Sequence, residues 1–166
     1  MAACLDLLSG SADTATDRMT FQLAQLCFWL LAATDGHAKN YSIFLDQGDR
    51  YVMTPLYDVI SLWPYFGEGP HQGRWRKAKL AMALRSKNPH YLLHTIQARH
   101  WHGLAMKNGG AAIWDAMLGL VNRVEPALQV VESRLPPDFP GGTWEAIATG
   151  MRSQVEVFKA GLSGFE

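Results

Sequence analysis

Residues 21–33 are apolar at almost every step: Phe21, Leu23, Leu26, Phe28, Trp29, Leu30 and Leu31 face nearly all directions around a helix. A helix that is hydrophobic all round has no solvent face, so it belongs in the middle of a domain. We expect it over residues 17–33, with Thr16 or Asp17 as its N-cap. Gln22 and Gln25 interrupt the run, which falls short of the ~20 residues a membrane span needs. A buried central helix is implied, and it holds the next segment of chain in place.

That next segment is polar and dense. Ala33-Thr34-Asp35-Gly36-His37-Ala38-Lys39-Asn40-Tyr41-Ser42 places a carboxylate, an imidazole, an ammonium and a carboxamide close together. Such clusters between two core elements are commonly chemical. A second carboxylate, Asp58, lies in Thr54-Pro55-Leu56-Tyr57-Asp58-Val59-Ile60. This order suits phosphoryl transfer at a protein-kinase-like site: one Asp orients a hydroxyl and takes its proton, then an Asn and a later Asp hold Mg²⁺ on nucleotide phosphates. Mg²⁺ takes oxygen ligands and keeps waters, so one amide oxygen and one carboxylate beside phosphate oxygens form a reasonable set. A capped helix end and a polar turn would give the same spacing. Spacing alone leaves both open.

Around this centre the chain reads as mainly α with a small β-hairpin. Its 166 residues are 48% hydrophobic and 18% charged, which suits one globular domain with a sizeable core. Fifteen basic residues balance fifteen acidic ones, so no global field draws the chain to nucleic acid or an anionic membrane. Cys4 and Cys27 are too few and too far apart for a disulfide framework or zinc site, which fits a reducing cytosol. The N-terminus lacks the pattern of a signal peptide.

Residues 2–8 are a short apolar segment and residues 9–14 a loop. Residues 41–45 and 50–53 form two strands across the turn Asp46-Gln47-Gly48-Asp49. That hairpin should carry Asp58 back beside Asn40. Residues 61–79 are irregular, with the basic cluster Arg74-Trp75-Arg76-Lys77, and are read either as a substrate-facing segment or as a surface loop tethered by aromatics. Asn88-Pro89 starts a helix running to Met106, which would place His90 and His94 one turn apart. A helical stretch over residues 113–135 breaks near Arg123 because of Pro126. Thr143 caps a last helix over residues 144–159. Trp29, Trp63, Trp101, Trp114 and Trp144 are assigned to packing.

Four blocks in order, namely residues 33–42, residues 54–61, Lys79-Leu80-Ala81-Met82 and Arg99-His100-Trp101, closely resemble the C-terminal part of HipA-family kinases, the toxins of HipA/HipB toxin–antitoxin pairs. The likeness fades after about Gly109. It implies a protein-kinase-like C-terminal lobe spanning residues 1–166, with ATP and Mg²⁺ as co-substrate and cofactor. By position, Asp35 looks like the catalytic base, and Asn40 and Asp58 like metal ligands. His37, Ala38, Lys39, Asn40, Tyr57 and Asp58 look like part of the nucleotide pocket.

The resemblance further implies a cytoplasmic Ser/Thr kinase, protein substrates that in the family are aminoacyl-tRNA synthetases, and a HipB-like helix-turn-helix antitoxin. DNA would be reached through that antitoxin complex, and no membrane is implied. Residues 1–34 contain one glycine, Gly10, and no lysine, whereas a kinase's smaller lobe needs a phosphate-covering loop and a strand Lys. The expectation is a large lobe alone, completed by a separate N-terminal lobe. The alternative is a truncated, non-catalytic module that docks the antitoxin or a target.

Overall fold

In the computed structural model, which describes residues 1–85 and 88–164, the apolar run becomes helix α2 (Thr14–Leu31). It buries Phe21, Ala24, Leu26, Phe28, Trp29 and Leu30. Trp29 is fully enclosed against Trp101 and Phe158, with ring centroids 6.0 and 6.5 Å away. Its indole N–H donates to the Leu93 carbonyl at 3.0 Å. Removing a core aromatic of this size costs about 3–5 kcal/mol, so α2 anchors the elements around it. These include α3 (Ala98–Asn108), α4 (Ala111–Asn122), α5 (Val124–Glu132) and α6 (Gly141–Ala160). Helix α1 (Ala2–Leu8) packs into a smaller cluster, where Leu5 and Leu8 meet Phe21 and Met82.

The boundaries of α2 differ from expectation. Asp13 is the cap, accepting from the Thr16 N–H at 3.4 Å. Asp17 turns inward, buried, and accepts from the Ser11 hydroxyl and from the Met53 N–H at 2.8 Å. Ser, Thr and Asp are near-equivalent caps, so the sequence before the helix offers several starts and tertiary contacts choose among them. Arg18, on the same first turns, donates to the Leu5 carbonyl and the Ser9 hydroxyl at the end of α1 and to the Asn108 carbonyl at the end of α3. A cation at two helix C-termini is favourable for both dipoles.

The first hairpin forms, with its first strand starting at Ile43 rather than Tyr41 and taking in Asp46 from the expected turn. Strands β1 (Ile43–Asp46) and β2 (Arg50–Met53) pair from Ile43↔Met53 to Asp46↔Arg50. The turn places Gly48 and Asp49 at φ 73° and 58°, the left-handed region that Gly and Asp tolerate. A second antiparallel hairpin was not expected: β3 (Lys79–Arg85) pairs with β4 (Pro89–Leu92), Leu84 opposite His90 and Arg85 opposite Pro89. Along β3, Leu80, Met82 and Leu84 are buried while Lys79, Ala81 and Arg85 are exposed, the period-2 pattern of a half-buried strand.

Asn88-Pro89 therefore opens a strand, not a helix; proline is tolerated at the first residue of a strand, where no ladder donor is needed. His90 lies in β4 and His94 in the turn Leu93–Thr95, so they do not form a helical pair. The helix begins instead at Ala98.

Pro126 falls in the first turn of α5, and Arg123 separates α4 from α5, as the proline requires. The last helix starts at Gly141 after Pro140 rather than after Thr143. Between the hairpins, residues 61–78 are tethered by aromatics: Trp63 lies 4.6 Å from Trp75 and 5.8 Å from Phe66 by ring centroid. Both cysteines are free thiols. No helix among the described residues is long and apolar enough to cross a membrane.

At the start of α3, the Gln97 side chain accepts from the His100 N–H while His100 Nδ1 accepts from the Gln97 N–H at 3.1 Å, closing a capping box. His90 stacks on the His100 ring at 3.8 Å. Burial, then the neighbouring His90 and Arg99 charges, push His100 down to about 4 from 6.5. The unfolded chain thus takes up a proton between those values that the folded chain refuses, so stability is full above pH 6.5 and falls as pH drops towards 4. His100→Gln keeps an N3 acceptor without titrating, and the slope of melting temperature against pH in that window should flatten.

Asp17→Ala leaves the Met53 N–H without its acceptor, while the Ser11 hydroxyl keeps only the Tyr51 carbonyl at 3.2 Å. We expect a loss of about 1.5–3 kcal/mol, read from the urea midpoint.

Candidate functional site

The site grows from the C-terminal end of α2. The helix closes at Ala32, which takes φ 50°, and the Ala33 N–H donates back to the Phe28 carbonyl at 2.8 Å. A left-handed alanine costs about 1–2 kcal/mol, but it turns the chain sharply out of the core. Asp35 emerges on the far side of that turn with its side chain 82% exposed, 3.6 Å from His37 Nε2. His37 Nδ1 is buried without a hydrogen-bond partner among the described residues. An exposed pair at this distance adds little stability.

A single helical turn, Ala38–Asn40, comes next and swings Asn40 inward to 7% exposure. Ala38 and Lys39 are exposed. The β1–β2 hairpin then doubles the chain back. Asn40 Nδ2 donates to Asp58 Oδ2 at 3.0 Å, across eighteen residues of sequence. The two side chains that the hairpin was expected to unite do meet. Asp58 stands at φ 56° and is exposed. Tyr57, just before it, places its hydroxyl 2.8 Å from Ser42 Oγ and 3.3 Å from the Lys39 carbonyl. Asp35 shares no hydrogen bond with the Asn40–Asp58 pair among the described contacts.

The segment after Asp58 returns to the same helix end. Ser61 Oγ donates to the Leu31 carbonyl at 2.7 Å, the Leu62 N–H to that of Ala32 at 3.4 Å, and the Trp63 indole to that of Leu30 at 2.9 Å. Trp63 lies so close over Gly150 of α6 that a Cβ there would stand 2.0 Å from its ring. Both arms of the site, residues 35–40 and residues 57–63, thus leave from one point.

Beside the loop lies an apolar cavity of about 290 Å³, whose walls include Cys4, Leu7, Phe21, Ala38 and Ile43. Tyr41 lines it too and meets Gln25 Nε2 with its hydroxyl. Burial, then the Cys4 thiol, raises that phenol above its ordinary range.

Chemically, the paired groups offer oxygen atoms. Asn40 Nδ2 is turned to Asp58, its Oδ1 accepts no hydrogen bond among the described contacts, and Asp58 is exposed. Among the described residues no three His, Cys, Asp or Glu side chains gather. An oxygen-only pair open to solvent fits a hard cation that keeps waters and ligand oxygens, as Mg²⁺ does.

Sequence reasoning missed Ser42 and Gln25. Ser42 had only its place two residues beyond Asn40 to mark it, and Gln25 its polarity within an apolar helix.

Residues 1–131 match the model of the HipA-like C-terminal domain. The chain belongs to that family, as the four sequence blocks indicated. The match runs from α1 almost to the end of α5, so α6 lies beyond it.

Gly150→Ala tests how firmly the second arm is held. Helix propensity alone would favour alanine by about 0.5–1 kcal/mol, but overpacking against a rigid indole costs about 1–3 kcal/mol. The net change should be destabilising in urea unfolding, with altered Trp63 fluorescence.

Proposed function

We propose that this chain is the larger lobe of a HipA-like Ser/Thr protein kinase, with a protein-kinase-like fold, that transfers the γ-phosphoryl group of ATP to a protein hydroxyl. The observation that carries this reading is the 3.0 Å contact between Asn40 and Asp58, on two segments that leave the same helix end as Asp35. Asp35, exposed on its turn, is where an incoming hydroxyl can be oriented. The hydroxyl oxygen bonds to the γ-phosphorus as the bond to the β–γ bridging oxygen breaks; ADP leaves, and the hydroxyl proton passes to Asp35. Asn40 Oδ1 and Asp58 would hold Mg²⁺, which when bound neutralises charge on the phosphates. His37, Ala38, Lys39 and Tyr57 border the space the nucleotide would occupy.

Phosphoryl transfer also needs a phosphate-covering loop and a strand Lys from a smaller lobe, and residues 1–34 hold neither. The proposed setting is cytoplasmic, in a toxin–antitoxin pair with a HipB-like antitoxin that brings the complex to DNA. An aminoacyl-tRNA synthetase is the protein substrate the family resemblance suggests. A second reading, a non-catalytic module that docks an antitoxin or target, is favoured by the separation within the site: Asp35 is exposed and shares no hydrogen bond with the Asn40–Asp58 pair among the described contacts.

Calorimetric titration of ATP with Mg²⁺ separates the two. Binding to the wild type that weakens at least tenfold in Asp58→Ala supports the metal–nucleotide half-site. A folded wild type that binds nothing gives the docking module precedence. Once a completing lobe is supplied, Asp35→Asn should leave nucleotide affinity intact while phosphoryl transfer falls about 10²–10⁴-fold.

A further inference from the structure

The hydroxyl of Tyr57 sits in a chain of hydrogen bonds that neither nucleotide contact nor metal ligation requires. It lies between Ser42 Oγ at 2.8 Å and the Lys39 carbonyl at 3.3 Å. A phenol has one proton and a carbonyl only accepts. Tyr57 therefore donates to Lys39, and Ser42 donates to Tyr57. The two anchors bracket Asn40 in sequence, and Tyr57 directly precedes Asp58.

The flanks of Asp58 are pinned by the Thr54 N–H to the Ser42 carbonyl and by Ser61 to the Leu31 carbonyl, but Asp58 itself has only its Asn40 contact among the described hydrogen bonds. Its backbone is left-handed at φ 56°, a conformation that is uphill for a residue with a Cβ, and its side chain is not buried. The Tyr57 residue is itself 44% exposed, so packing does not fix it firmly. Beyond the Asn40–Asp58 contact and the Thr54 N–H to Ser42 carbonyl bond at 3.0 Å, the tie nearest Asp58 runs through the phenol oxygen.

We propose that Tyr57 is a positioning residue: its hydroxyl, rather than its ring, latches the Asp58 segment to the backbone on both sides of Asn40 and so sets the spacing of that pair for a divalent cation. This rests on the metal-holding role proposed above for Asn40 and Asp58. Side chains that orient metal ligands without touching the metal typically change affinity by about 10–100-fold when removed.

The test uses Mn²⁺ titrated into the chain with ATP present, free Mn²⁺ being read by electron paramagnetic resonance. Tyr57→Phe keeps the ring and loses only the hydroxyl. The latch requires it to weaken Mn²⁺ binding about tenfold, much as Tyr57→Ala does. Ser42→Ala should weaken binding too, and the Ser42→Ala/Tyr57→Phe double variant should be little worse than either single, because both cut the same chain. If Tyr57→Phe binds like the wild type and only Tyr57→Ala fails, the ring acts as a wall and the latch is overturned.

A second readout needs no metal. In a ¹H–¹⁵N spectrum the Asn40 side-chain amide should move towards the position of a free carboxamide in Tyr57→Phe. Unchanged Asn40 resonances overturn the latch whatever the titration gives. A wild type that binds no Mn²⁺ defeats the metal reading alone, and the Asn40 resonances then decide the latch by themselves.

Discussion

The last carbonyls of α2 are the point on which this molecule turns. A helix end leaves its final C=O groups without intrahelical partners, and in a buried helix each unmet acceptor costs about 1–3 kcal/mol. Here the accounting closes with partners drawn from across the chain. Phe28 accepts from Ala33, Trp29 from Gln154 of α6, Leu30 from the Trp63 indole, Leu31 from Ser61 and Ala32 from Leu62. One helix end thereby fixes the loop that bears Asp35 and Asn40, the segment just past Asp58, and the final helix. The core and the polar site are joined by the same set of bonds.

That arrangement lets an exposed site remain ordered. Asp35, Lys39 and Asp58 all face solvent and none is held by burial of its own side chain. Their order is borrowed from neighbours: a buried Asn40, a left-handed Ala32, and a hairpin whose second strand hangs from the inward carboxylate of Asp17. Strain at Ala32 and Asp58 persists because the contacts on either side leave the backbone no other path.

How much of this the residues disclosed in advance varies with the range of the interaction. The central helix was legible because Phe21 to Leu31 are apolar around the whole circumference. The β1–β2 hairpin was legible because alternation and a Gly-bearing turn are local signals, and its antiparallel return was enough to bring Asp58 to Asn40. The β3–β4 hairpin was hidden: Ala81, Met82, Ala83 and Leu84 are good helix formers, Pro89 suits the start of a helix as well as of a strand, and only burial of Leu80, Met82 and Leu84 reveals the period. The inward turn of Asp17 and the Ser42–Tyr57–Lys39 chain depend on contacts between segments far apart in sequence. No local pattern announces such contacts.

Helix α6 lies outside the stretch matched to the family, yet its Gln154 reaches the Trp29 carbonyl, its Gly150 receives Trp63, and its Phe158 closes the core against Trp29 and Trp114. A ribosome releases the polypeptide from its N-terminal side, so α2 and the polar loop leave the exit tunnel long before α6 does. Until that helix emerges, the Trp29 carbonyl has only the Ala32 N–H, without its second donor Gln154, and the indole of Trp63 lacks its seat. The arm that carries Trp63 should therefore reach its final packing only after α6 has left the ribosome, later than the arm that carries Asn40.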